Sequence, residues 1–262
     1  MHLLTSINPL YTLSGLAVGM LVGLTGVGGG SLMTPLLVLV FGVHPTTAVG
    51  TDLLYAAATK SVGTGVHGYK RTVQWAIVGR LATGSVPATA ITLWVLSQQA
   101  KQSASVGNLI STSLGWALLV TAVAILFRKA IVAFFQSRTD ELSPRAATGF
   151  TILLGVILGV LVALTSVGAG ALGMTVLLVL YPKMDVAKLV GSDIAHAVPL
   201  TLLAGIGHWM MGSVNWMLLV SLLTGSIPGI IVGSLLAART PDGVLRPVLA
   251  GTLALVGGKL LT

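Results

Sequence analysis

Four ionisable side chains stand where an apolar chain accommodates them least. Asp52, Lys60, Asp193 and His196 lie inside long hydrophobic stretches, where charge is costly and usually functional. On a helix turning about 100° per residue, Lys60 lies about 80° and His67 about 60° from Asp52, so the three share a face. About 12 Å of rise separates Asp52 from Lys60, too far for contact. A second set, Asp193, His196, Thr201 and His208, repeats this face. Such residues could hold a small anion at Lys60 and carry protons or ions through Asp52, Asp193, His196, His67 and His208. Thr201 takes the place of Lys60 in the second set, which implies one cationic anchor rather than two. Blander roles compete. Asp52 and Asp193 follow short loops in "GTD" and "GSD" and could cap helices. His67 and His208, near span ends, could serve as interfacial hydrogen-bonding groups. Arg80 reads as a snorkelling cation, and Trp75 and Trp216 as interface aromatics.

Two glycine-rich interruptions supply the other candidates. "GLTGVGGGSLMTP" begins at Gly23 and "ALTSVGAGALGMT" at Ala163. A helix restarting at Ser31 presents unpaired N–H groups and a partial positive end, and Pro35 near its first turn sacrifices little. Such a break binds an anion without arginine. The expected substrate-binding residues are therefore Thr25, Gly28, Gly29, Gly30 and Ser31 in one break, Thr165, Ser166, Gly168 and Gly170 in the other, and Lys60. Tight helix packing is the competing use of the glycines.

The elements that position these residues follow from composition. Of 262 residues, 55% are hydrophobic and 8% charged, against about 25% charged in soluble proteins. The expectation is an all-α integral membrane protein. The runs lack the alternation of a membrane barrel. The net charge of +8 falls between hydrophobic spans, so a bilayer rather than nucleic acid is the expected partner. Cysteine is absent, no cluster has metal-ligand spacing, and no phosphate loop is found. "GVGGGS" lacks the strand and helix of a dinucleotide site. Neither an enzyme nor a cofactor or metal is expected. The N-terminus lacks the pattern of a cleaved signal.

Ten hydrophobic segments are expected, near 9–26, 31–43, 47–67, 74–97, 107–127, 146–166, 171–182, 186–210, 214–238 and 244–262. Those at 31–43 and 171–182 are too short to span a bilayer and should pair with their predecessors as broken helices or re-entrant hairpins. Gly15–Gly30 against Gly155–Gly170 shows 9 identities in 16 positions. After a one-residue shift, Asp52 pairs with Asp193, His67 with His208, Trp75 with Trp216, and "GSVP" at Gly84 with "GSIP" at Gly225. Residues 1–127 and 146–262 thus read as two repeats of five segments joined by a cytoplasmic linker, 128–145. An odd number of segments inverts one repeat relative to the other. The loop holding Lys70 and Arg71 has an uncharged partner near Met210. Positive-inside placement then puts ten Lys and Arg residues in the cytoplasm and both termini outside the plasma (inner) membrane. Inverted repeats with broken helices are a transporter architecture.

The two breaks, with "GTDLLYAAATKSVGTGVHGYKRTVQW" and "GSDIAHAVPLTLLAGIGHWMMGSVNW", resemble the TauE/SafE (sulfite exporter) family of membrane permeases over essentially the whole chain. The resemblance implies outward movement of sulfite, sulfoacetate or related sulfur-containing anions. Many family members have "GTS" where Thr51 is followed here by Asp52, which leaves the substrate open and fits proton coupling. The expected function is a secondary transporter of small sulfur-containing anions working by alternating access. An anion channel would instead pass large currents without accumulation, and a membrane scaffold would tolerate Asp52→Asn with Lys60→Ala. A homodimer is compatible with the sequence but not demanded by it.

Overall fold

The computed structural model describes residues 8–25, 30–99, 103–139, 143–236 and 242–261. Among these, eleven helices and no strand are found: α1 (Pro9–Thr25), α2 (Gly30–Leu39), α3 (Pro45–Tyr69), α4 (Trp75–Gln99), α5 (Ser103–Leu126), α6 (Arg128–Thr139), α7 (Pro144–Thr165), α8 (Ala171–Leu180), α9 (Val186–Met210), α10 (Trp216–Leu236) and α11 (Asp242–Leu261). Four helical stretches, 75–99, 106–126, 144–165 and 186–210, are long and apolar enough to cross a membrane. Large apolar side chains such as Leu13, Ile91, Trp94, Leu153 and Leu255 are exposed, as a lipid-facing surface requires. Shorter apolar helices cover Pro9–Val22, Ala171–Leu180, Trp216–Val232 and Ala250–Leu261, and the remaining expected segments, 31–43 and 47–67, overlap α2 and α3. Helix α6 lies in the stretch expected to be a polar linker. Its phenylalanines Phe134 and Phe135 give that stretch an apolar side, and α6 packs on α8 and α5.

Small residues decide which helices touch. An ideal Cβ at Gly84 (α4) would fall 2.1 Å from the Ile152 carbonyl oxygen (α7), and one at Gly155 (α7) 2.2 Å from that of Leu81 (α4). The same relation joins α1 to α10: Gly15 lies against Leu222, and Gly225 against Thr12. Only glycine lets the backbones approach this closely. Each half's opening helix therefore packs on a helix of the other half, α1 on α10 and α7 on α4.

Helices α3 and α9 cross between these pairs and pack on each other. Their ends are tied reciprocally. The Gln74 amide, beyond the end of α3, donates to Ser192 Oγ near the start of α9 at 2.9 Å. The Asn215 amide, beyond the end of α9, donates to Thr51 Oγ1 near the start of α3 at 3.0 Å. The two helices are thus antiparallel. Gly191 and Gly50 admit the Thr72 and Ser213 carbonyls at these corners. Deeper in, Tyr55 (α3) donates to Ser226 (α10) at 2.7 Å, and His196 (α9) shares a 2.8 Å hydrogen bond with Ser85 (α4). Every partner in one member of these pairs lies 141 residues from its counterpart in the other.

Candidate functional site

The second glycine break has a defined shape. Helix α7 ends at Thr165, and Ser166 turns left-handed at φ 59°, donating its N–H to the Val162 carbonyl. Gly168 at φ +121° and Gly170 at φ +130° complete the turn into α8, conformations that L side chains adopt at a cost. Gly170 gives α8 no side-chain cap. Of the first-turn amides of α8, that of Gly173 donates to the Gly168 carbonyl at 3.2 Å, and no cap side chain answers those of Ala171 and Leu172. Thr165 is not available to a ligand in the way its sequence position implies. Its hydroxyl donates to the Leu161 carbonyl at 2.6 Å and accepts from the Val167 amide at 3.1 Å, so it holds the turn together. The Ser166 hydroxyl is buried and, among the described residues, makes no hydrogen bond of full geometry, although it lies beside the Asp52 carboxylate.

Lys60 reaches this break from the other half. Its Nζ donates to the Ala169 carbonyl oxygen at 3.1 Å. The ammonium also lies within electrostatic reach of both Asp193 and Asp52. Because α3 and α9 are antiparallel and each aspartate is the eighth residue of its helix, the two carboxylates sit toward opposite ends of the pair with Lys60 between them.

Both aspartates lie a full two turns inside their helices, so neither is a cap. The capping residue of α9 is Asp185, whose side chain accepts from the Ala187 amide. Asp52 is fully buried. Its Oδ2 accepts from Thr34 of α2, and Ser166 lies beside the carboxylate. Asp52 therefore connects the helix after the first break to the turn of the second. Asp193 is packed against α8, where a Cβ at Gly173 would fall 2.6 Å from its Oδ1. Oδ1 of each carboxylate lacks a hydrogen-bond partner among the described residues, an uncommon condition for buried polar atoms.

The histidines separate. His196 is buried on Ser85, with Nδ1 unpartnered among the described residues. His208 is buried elsewhere, with Nε2 2.9 Å from the Ala163 carbonyl oxygen. A carbonyl only accepts, so Nε2 carries the proton. His67 is not part of the cluster. It sits half-buried in the last turn of α3, bonded to Thr72 Oγ1 at 2.8 Å. The periodicity that placed it on the Asp52 face is correct, but about 22 Å of helix separates the two residues.

Of the first break, Gly28 and Gly29 lie outside the described residues, as do the side chains of Thr25 and Ser31. Gly30 opens α2, and Pro35 falls in its second turn. Sequence reasoning missed Thr34, Ser85 and Gly173. Thr34 and Gly173 lie in the quoted glycine stretches and Ser85 in the "GSVP" block, but spacing alone does not name their partners. Among the described residues no three His, Asp or Glu side chains converge as a metal site requires.

Comparison with known proteins follows the same lines. The family profile described as "Sulfite exporter TauE/SafE" matches residues 11–260. The chain is 39% identical over 250 residues to the probable membrane transporter protein YjnA of Bacillus subtilis, covering 95% of this chain and 98% of that protein. It is 26% identical over 253 residues to the probable membrane transporter protein YdhB of the same organism, covering 93% and 96%. A probable membrane transporter protein of Xylella fastidiosa is 27% identical over 241 residues, covering 86% and 83%. No solved structure matches. A multi-pass helical membrane protein with paired breaks and a lysine reaching from one half into the other, this chain belongs to the sulfite exporter TauE/SafE family.

Proposed function

We propose that the chain is a secondary transporter that exports small sulfur-containing anions, such as sulfite or organosulfonates, across the plasma membrane by alternating access, and that it is not an enzyme. The observation that carries this reading is Lys60, an ammonium from one half donating to the Ala169 carbonyl in the other half's glycine break. An anion entering beside Ser166 would replace that neutral carbonyl with a charged acceptor, a stronger partner for Lys60. The uncapped start of α8 offers further N–H donors of the right polarity. Asp52 and Asp193 make the same place hostile to an anion while both are ionised. Protonation of one of them would admit it, and this charge balance supports proton coupling through Asp52 and Asp193, with His196 as a relay. The reciprocal ties of α3 and α9, and the crossed packing of α1 on α10 and α7 on α4, support two inverted repeats; the placement of both termini outside rests on the Lys and Arg bias of the loops alone. Rocking one repeat-related pair against the other would open the Lys60 site to each side in turn.

The test is transport in proteoliposomes with sulfite, sulfoacetate, taurine, thiosulfate and sulfate, with and without a proton gradient. Gradient-driven accumulation of one of these anions separates a transporter from a channel. Lys60→Ala should abolish that movement while the protein still purifies folded. Undiminished transport by folded Lys60→Ala removes Lys60 from the mechanism.

A further inference from the structure

Where α3 finishes and α9 begins, the helix ends border an open cavity of about 550 Å³ whose wall carries Arg80, Lys183 and Lys188 together with Gln74 and Tyr181. Arg80 lies in the second turn of α4 and is half-buried. A snorkelling arginine would run its stem outward to the headgroups. Here Nη1 donates to the Tyr181 hydroxyl at 3.2 Å, and that hydroxyl shares a second hydrogen bond with Thr151 at 2.8 Å. The guanidinium is thereby fixed in the cavity wall. One carboxylate, Asp185, also lines the cavity, but its Oδ1 is engaged in capping α9.

The other end of the bundle differs. The offset relating the halves carries Arg80 onto Ser221, Lys183 onto Gly42 and Lys188 onto Thr47. The cavity there is about 150 Å³, and His44, Thr46, His208 and Ser213 supply its polar lining, with no lysine or arginine among the described lining residues. Backbone packing is reciprocal between the halves, while charge is not. The general bias of Lys and Arg toward the cytoplasmic face explains why Lys183 and Lys188 are at this end. It does not explain an arginine tied into a cavity wall by a tyrosine and a threonine.

Three cations against the single carboxylate of Asp185 leave this concave surface net positive, and such a surface concentrates counter-charged solutes. A guanidinium also meets an oxyanion through two parallel hydrogen bonds. Directly beyond the Gln74–Ser192 tie at this mouth lies Asp193, and Ser85 with His196 follows between α4 and α9. We propose that this cavity is a capture vestibule for small oxyanions, anchored by Arg80, which loads them from the cytoplasmic side before they reach Lys60. The proposal rests on the transport reading above and adds to it a second anion site and a preferred side of entry.

The test uses the full chain in vesicles of known sidedness, with sulfite as probe. The variants are Arg80→Gln and the triple Arg80→Gln, Lys183→Gln, Lys188→Gln. At low salt the triple should raise KM for sulfite leaving from the cytoplasmic face about tenfold or more, with efflux kcat unchanged. The difference should shrink at about 1 M salt, where the screening length is about 3 Å. An unchanged cytoplasmic-face KM in the folded triple overturns the vestibule while leaving transport intact. If the wild-type protein moves no sulfite, sulfite is not its cargo, and sulfite titration into the purified protein decides the vestibule by itself. Salt-sensitive binding lost in the triple supports the site; equal binding by both proteins, or none by the wild type, overturns it.

Discussion

Replacing Gly84 by alanine puts one methyl group where the fold has no room for it. The added Cβ would fall 2.1 Å from the Ile152 carbonyl oxygen and 2.8 Å from the Val156 amide nitrogen. Both atoms are backbone, so no rotamer change relieves the clash. Restoring ordinary contact requires α4 and α7 to part by about 1.3 Å. That movement also loosens the contacts of Gly155 with Leu81 and of Gly159 with Ser85 on the same pair. Overpacking of this kind costs about 1–3 kcal/mol, and a rigid backbone clash belongs at the upper end. Alanine recovers about 1 kcal/mol of helix propensity over glycine. The net destabilisation is then about 2 kcal/mol, or about 4–8 °C in apparent Tm for a chain of this size. Gly79→Ala is the matched control. It lies in the same helix and gives a protein of identical composition, but its Cβ meets nothing within 4 Å. Gly79→Ala should be neutral or slightly stabilising. Thermal unfolding of both detergent-purified variants makes the comparison. Gly84→Ala unfolding at or above the temperature of Gly79→Ala would refute the crossed packing of α7 on α4.

Two further predictions concern the ties and charges of α3 and α9. Thr51→Val and Ser192→Ala each strip the acceptor from one amide, at Asn215 and Gln74 respectively; each should cost about 1–3 kcal/mol by thermal unfolding, and a large effect in one with none in the other would contradict the reciprocal arrangement. Asp193→Asn should leave transport that an imposed proton gradient no longer accelerates, and acceleration equal to that of the wild type would exclude Asp193 from coupling.

Much of this arrangement is legible in the residues because the chain states it twice. The offset of 140–141 residues pairs Gly84 with Gly225 and Thr51 with Ser192 without reference to coordinates. Helical periodicity correctly places Asp52 and Lys60 on one side of α3. Periodicity fixes an angle about one axis and nothing more, so it cannot say that Lys60 ends on a carbonyl 109 residues away. For the same reason it put His67 with Asp52, although the length of α3 keeps them apart. Thr165 and Ser166 were indistinguishable as hydroxyl donors, and only the turn geometry shows one spent and the other not. The "GTD" and "GSD" blocks resemble caps because glycine and a small hydroxyl residue precede an acid. In the folded chain the glycine and hydroxyl serve the opposite half, at the corners of the α3–α9 crossing. The helix in the linker escaped notice because its polarity outweighed its apolar side.

The crossed packing of α1 on α10 has a consequence for how the protein is made. Gly15 rests against Leu222, which follows it by 207 residues. At about 5–20 residues per second, α1 is complete about 10–40 s before its partner helix leaves the ribosome. During that interval the glycine face that will meet α10 has only lipid or a passing neighbour against it. Helix α7 has no such wait, since α4 precedes it and is already in place. Helix α1, made long before its partner, is thus locked late. A lesion in α10 would therefore leave α1 without its partner, although eight helices separate the two along the chain.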